Sequence, residues 1–137
     1  LVWGERGNCG WAGVFPITDR RLESEVCPLF LQLGTGKALL KTFEEAKFED
    51  VTSNRFSYDL HFRDKEQACT AAFLCGAVAL AYQKFDEETR KEANREYLKS
   101  IKQFHNGKGY NVPGEFVITS GIKPGKTKEP NSNLSSE

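Results

Sequence analysis

The sequence predicts an α/β domain with a short sheet of about three strands. Three observations predict it. Phe56, Tyr58, Leu60 and Phe62 alternate with Arg55, Ser57, Asp59 and His61, the period-two pattern of a half-buried strand. Two later stretches, Lys65 to Tyr82 and Asp86 to Phe104, carry helix start signals and helical spacing. Phe116-Val117-Ile118-Thr119 then returns to aromatic and β-branched residues, so the chain runs strand, helices, strand, helices, strand, tail.

Taken in order, Leu1-Val2-Trp3 reads as the last residues of a strand, and a glycine-rich turn comes next, from Gly4 to Gly13. From Thr18 or Asp19, Leu22 and Val26 are spaced for a short helix that Pro28 stops. Leu29 to Leu33 is an apolar knot, and Gly34-Thr35-Gly36 breaks the chain. Thr35 is placed to cap the next helix, in which Leu39, Leu40, Phe43 and Ala46 share a face. Asp64 and Gln67 have the spacing of a capping box at the head of the Lys65–Tyr82 helix, which Ala and Leu predict to be buried on most sides. Asp86-Glu87-Glu88 suits the positive end of the following helix. There Asp86–Arg90 and Glu87–Lys91 are spaced as i,i+4 pairs, and Ala93, Tyr97, Ile101 and Phe104 form the apolar stripe. From Pro124 the polar composition predicts a flexible tail, residues 124–137.

Composition narrows the function classes. With 39% hydrophobic residues among 137, one core can form and wholesale disorder is excluded. Lys plus Arg and Asp plus Glu are both 19, so a partner held through phosphates or an anionic membrane is not expected. The longest apolar-rich stretch, Cys69 to Tyr82, is 14 residues, short of the roughly 20 that span a bilayer. Cys9, Cys27, Cys69 and Cys75 contain no Cys-x-x-Cys pair, and His61 and His105 stand alone, so no metal site is predicted. Free thiols in a cytoplasmic protein are the simpler expectation. The chain holds no Met, even at position 1, which predicts a product trimmed or cut from something longer.

Local motifs do not name a reaction. Gly7-Asn8-Cys9-Gly10-Trp11-Ala12-Gly13 is not G-x-G-x-x-G. Gly34-Thr35-Gly36-Lys37 lacks the earlier Gly and the following Ser or Thr of a phosphate loop, since Ala38 comes next. No Ser–His–Asp order or paired-carboxylate motif stands out. His61 reads as an exposed strand residue and His105 as a helix-end cation.

The ordered series of pieces does resemble a known family. Val2-Trp3-Gly4-Glu5-Arg6 with Cys9-Gly10-Trp11-Ala12 is similar to the segment after the fifth strand of class I S-adenosylmethionine-dependent methyltransferases. Phe43-Glu44-Glu45-Ala46-Lys47-Phe48-Glu49-Asp50-Val51 resembles that family's helix, Gly-Phe, strand step into strand six, with Lys47 standing where the family often has Gly. Tyr110 to Ile118 resembles the family's last strand, which returns antiparallel.

The resemblance covers most of residues 1–123 and implies the C-terminal edge of a Rossmann-like sheet, with the last strand between the other two and residues 64–107 as a helical insertion or lid. It implies the substrate-side portion of an enzyme that methylates a small molecule, using S-adenosylmethionine in the complete protein. The family's cofactor half has no counterpart here, so no cofactor is expected on this chain alone, which would be inactive. Trp3, Glu5 and Arg6, leaving a strand end, with Trp11 and Phe30 as an apolar wall, are the implied substrate-binding residues; no catalytic residue is assigned. A complementing N-terminal half or a homodimer is the expected protein partner, since an open strand edge invites pairing. A stand-alone α+β ligand-binding domain and a noncatalytic regulatory or assembly module are the alternatives.

Overall fold

A computed structural model describes residues 1–22 and 31–125. Within them the fold is α/β: a three-stranded sheet with helices packed on it. Strand β1 is Val2–Trp3, and two 3₁₀ turns at Arg6–Asn8 and Gly10–Gly13 lead into helix α1, Val14–Asp19. Helix α2 is Ala38–Glu45, and strand β2 is Glu49–Phe62. Helices α3 (Lys65–Phe73), α4 (Ala79–Gln83) and α5 (Glu87–Ser100) separate β2 from strand β3, Tyr110–Ile122. The sheet order is β1-β3-β2, so the last strand is central and runs antiparallel to both neighbours. β1 and β2 are therefore parallel to each other, with their carboxyl ends on one side of the sheet.

The Asp64 start obeys the predicted capping chemistry, and Asp86 adds a side-chain cap to the charge effect expected of it. Asp64 accepts a hydrogen bond from Gln67 N at 2.8 Å, and the Gln67 side chain accepts one from Arg63 N at 2.8 Å. Asp86 accepts from Thr89 N at 2.8 Å, and this backbone bond is the main cause holding its carboxyl below the usual range. The stripe holds over Ala93, Tyr97 and Ile101, which are fully buried, but α5 ends at Ser100 and Phe104 sits half-buried in a 3₁₀ turn, Lys102–Phe104. They pack with Phe15 and Phe73 into one core that continues to Val112 of β3. Arg20 and Arg21 of the turn after α1 pair with Glu96 of α5, Arg21 Nη2 at 2.6 Å, and lock those helices together.

Five expectations need correction. The helix expected from Thr18 or Asp19 does not begin there: α1 spans Val14–Asp19 and gives way to a turn at residues 20–22. The Lys65–Tyr82 stretch is not one helix: it stops at Phe73 and resumes at Ala79, because Gly76 sits where an intact helix needs a helix former. It is also less buried than expected, with Leu74 and Leu80 exposed. Thr35 does not cap α2; its hydroxyl donates to Leu31 O, and the cap position is Lys37. Asp86 and Arg90 do not pair, because Arg90 turns back to the carbonyls of Tyr82 and Gln83 and lies over the Tyr82 ring. The strand carrying Phe56 and Tyr58 is an edge strand beginning at Glu49, and both rings are exposed rather than half-buried. Val26, Cys27, Pro28 and Phe30, and the tail from residue 126, lie outside the described residues.

The step from α2 into β2 is a complete Schellman motif. Lys47 N donates to Glu44 O and Phe48 N to Phe43 O, while the Phe43 and Phe48 rings meet at 4.9 Å. The motif needs a left-handed residue, and Lys47 supplies it at φ 63°.

Candidate functional site

Across the sheet, Trp3 lies level with Phe116, and Phe116 with Phe56; these three share one face. On that face, past the carboxyl end of β1 and alongside the last residues of β2, the structure holds a cavity of about 270 Å³. Val14 and Phe15 of α1 and Tyr97 of α5 make its buried floor. Trp3 and Trp11 form one wall, their rings 4.7 Å apart and tilted by 57°. Leu60 and Phe62 of β2 form the next. The rim is made of small residues: Ala71 and Ala72 of α3, then Cys75, Gly76 and Ala77 in the break before α4. The interruption of the predicted helix thus creates part of the cavity mouth. No Asp, Glu, Lys or Arg lines it.

Trp3 needs flat ground beneath it. Gly114 of β3, opposite Tyr58, provides this: a Cβ there would lie 3.0 Å from Trp3 Cζ3. The Trp3 ring also stacks on Phe116 at 4.4 Å, and Phe116 on Phe56 at 5.6 Å. Trp11 in turn meets Phe15 at 5.7 Å, so one row of aromatic rings links the cavity to the open sheet face.

The other face of the sheet carries a polar clamp around Glu115, which is 6% exposed. Its carboxylate accepts hydrogen bonds from Glu5 N (2.8 Å), Asn8 Nδ2 (2.8 Å) and Arg55 Nη1 (2.5 Å). Burial pushes the Glu115 carboxyl up, but these bonds together with the Arg55 charge outweigh it and hold the group below its usual range. Arg55 also donates to the carbonyls of Gly34 and Gly36, and Glu5 Oε1 accepts from Gly36 N at 2.7 Å. At Gly34 the backbone passes so close to the Trp3 carbonyl that no side chain fits.

Of the sequence-predicted residues, Trp3 and Trp11 come together in the cavity. Glu5 joins the clamp instead, Arg6 is exposed and does not line the cavity, and Phe30 lies outside the described residues. Sequence reasoning missed Phe15, Leu60, Phe62 and Tyr97, which have the pattern of ordinary core residues. It also missed the rim, whose signal is the density of small residues in Ala71-Ala72 and Gly76-Ala77.

Other surfaces offer less chemistry. A wider, more open depression of about 500 Å³ lies between α3 and α5, edged by Lys65, Glu66, Lys91 and Arg95. Its Cys69 thiol is pushed up to about 11 by burial, which leaves little thiolate for nucleophilic work at neutral pH. Burial likewise raises the Cys9 thiol. Among the described residues, Cys9, Cys69 and Cys75 are free, and no group of three His, Cys, Asp or Glu side chains is arranged to hold a metal. No helix among them is long and apolar enough to cross a membrane.

Two glycines of the glycine-rich stretch are closed off by packing, while Gly7 has open space around it. Gly4 packs against Glu115, and a Cβ on Gly10 would meet Phe104 and Pro113 within 3 Å, so neither glycine opens toward a ligand. The buried carboxylate nearest them, Glu115, is already engaged by Glu5, Asn8 and Arg55. Gly4, Gly10 and Glu115 therefore offer no free approach to the methyl donor that the family resemblance implies. No family model, curated protein or solved structure matches the chain.

Proposed function

We propose that this chain is the C-terminal, substrate-side portion of an S-adenosylmethionine-dependent methyltransferase acting on a small molecule. The observation that carries this reading is the position of the cavity at the carboxyl ends of two parallel strands flanking a central antiparallel last strand. Ligands of open α/β sheets bind beyond those ends. The left-handed Lys47, at the position where the family often has Gly, supports the same assignment. So does the edge of β1 that no described residue pairs with, together with an exposed face of Phe56, Tyr58 and Ile118 that a larger sheet and its helices would cover. In this reading Trp3, Trp11 and the α3–α5 insertion hold the acceptor and exclude water, while the donor is held by a part of the enzyme outside these 137 residues.

The alternative reading is a stand-alone α+β ligand-binding domain whose ligand occupies this same cavity. The two part on mass and on cofactor affinity. The native gene product should exceed 15.4 kDa by a nucleotide-binding half. It should bind S-adenosylhomocysteine in calorimetry, whereas the 137-residue chain should give no heat. A native mass near 15.4 kDa, or micromolar binding by the chain alone, would overturn the methyltransferase reading.

A further inference from the structure

We infer that the cavity takes a flat, uncharged aromatic group of one or two rings, packed against Trp3, Trp11 and the small residues of the Ala71–Ala77 segment. The inference rests on reading this cavity as the substrate side of the site, and it adds the chemistry of the ligand. Size comes first. An apolar cavity of about 150 Å³ accommodates benzene, so 270 Å³ admits one ring with substituents or two fused rings and little more.

Charge comes next. The cavity presents no ionic side chain, and an ion entering it would lose hydration without finding a partner. Shape completes the case. Two indole rings tilted by 57° form an angled wall, and Phe62 extends the aromatic lining. Ala71, Ala72, Gly76 and Ala77 share the lining with side chains no larger than a methyl group. Aromatic rings and methyl-sized residues lining one small space make a slot that favours planar ligands through stacked and edge contacts.

The chain carries its own reporter, because Trp3 and Trp11 are its only tryptophans and both line the cavity. Indole emission from the 137-residue chain is titrated with 4-nitrotoluene, a neutral planar quencher. The matched probe 4-nitrobenzoate carries the same chromophore and a negative charge. Cyclohexanol, added as a competitor, tests a saturated ring.

Quenching by 4-nitrotoluene should saturate, and quenching by 4-nitrobenzoate should stay linear, as expected for collision. Cyclohexanol should displace the nitrotoluene at least threefold less well than phenol does. Ala72→Phe and Ala77→Leu, which narrow the slot from separate segments, should each weaken nitrotoluene at least tenfold while circular dichroism stays unchanged. If one variant unfolds, the other carries the test.

Saturation by the anion, equal competition by the saturated ring, or unchanged binding in a folded variant would each overturn the inference. So would linear quenching by every probe. No methyl donor is present in these titrations, so their failure is separate from failure of the methyltransferase reading.

Discussion

Replacing Lys47 with Gly should stabilise the chain, although it removes an entire side chain. Lys47 sits at φ 63°, where an L-residue's Cβ crowds the following carbonyl at a cost of about 1–2 kcal/mol. Gly escapes that cost but loses roughly 0.5–1 kcal/mol of backbone entropy on folding. The residue is exposed, and both Schellman bonds are made by backbone, so no other contact offsets the gain. The expected net is about 0.5–1 kcal/mol of added stability, or roughly 2–4 °C in Tm for a chain of this length. Urea unfolding of the wild type, Lys47→Gly and Lys47→Ala measures it. Ala keeps the Cβ, so it should stay within about 0.5 kcal/mol of the wild type. Should Gly prove no more stable than Ala, the left-handed turn and the site built on its register would both be in error.

The clamp, the caps and the thiols each carry a further expected outcome. Glu115 is held below its usual carboxyl range in the folded state, so its contribution is fully present above about pH 4.5 and is lost as pH falls through the depressed native value. The stability gap between wild type and Glu115→Gln, tracked by urea midpoint from pH 7 to pH 3, should therefore shrink on acidification. Asp64→Ala should cost about 1 kcal/mol by removing the α3 cap, read as a lower midpoint with an unchanged m-value. Among the thiols placed in the structure, the exposed Cys75 should alkylate first in native protein. Cys9 and Cys69, buried and raised, should react only on unfolding, with sites assigned by mass spectrometry.

Elements whose causes are local were legible in the sequence. The Asp64 and Asp86 caps act over three residues, and the Ala93–Tyr97–Ile101 stripe needs only helical spacing. The β2 alternation likewise declared a strand. Features set at a distance escaped. Glu5 and Arg55 are ordinary surface charges until Glu115, 110 and 60 residues away, draws them into one clamp. The exposure of Phe56 and Tyr58 depends on what packs over a sheet face, and alternation does not report that. The break at residues 74–78 turned on a single Gly within an otherwise continuous apolar run. Two of the five predicted site residues, Trp3 and Trp11, reached the cavity because bulky aromatics leaving a strand end have few other places to pack.

The weakest-held part of the cavity is also its most consequential. Trp3 belongs to a strand of two residues, paired through Val2–Val117 and Trp3–Phe116 and secured beyond them by the 2.6 Å bond from Gly4 N to Glu115 O. Among the described residues no strand pairs with its other edge. The rest of its support comes from Phe116, Gly114 and Trp11, so the angle of the cavity wall depends on ring contacts rather than on a ladder of hydrogen bonds. A strand added along this edge of β1 would fix that angle, and cover for the Phe56–Phe116 face would hold the other end of the aromatic row. That edge, the bare face and the apolar cavity therefore meet at Trp3. In the larger enzyme proposed above, a segment that paired with β1 would reach the cavity only through the Trp3 ring, and would tighten the slot without touching its ligand.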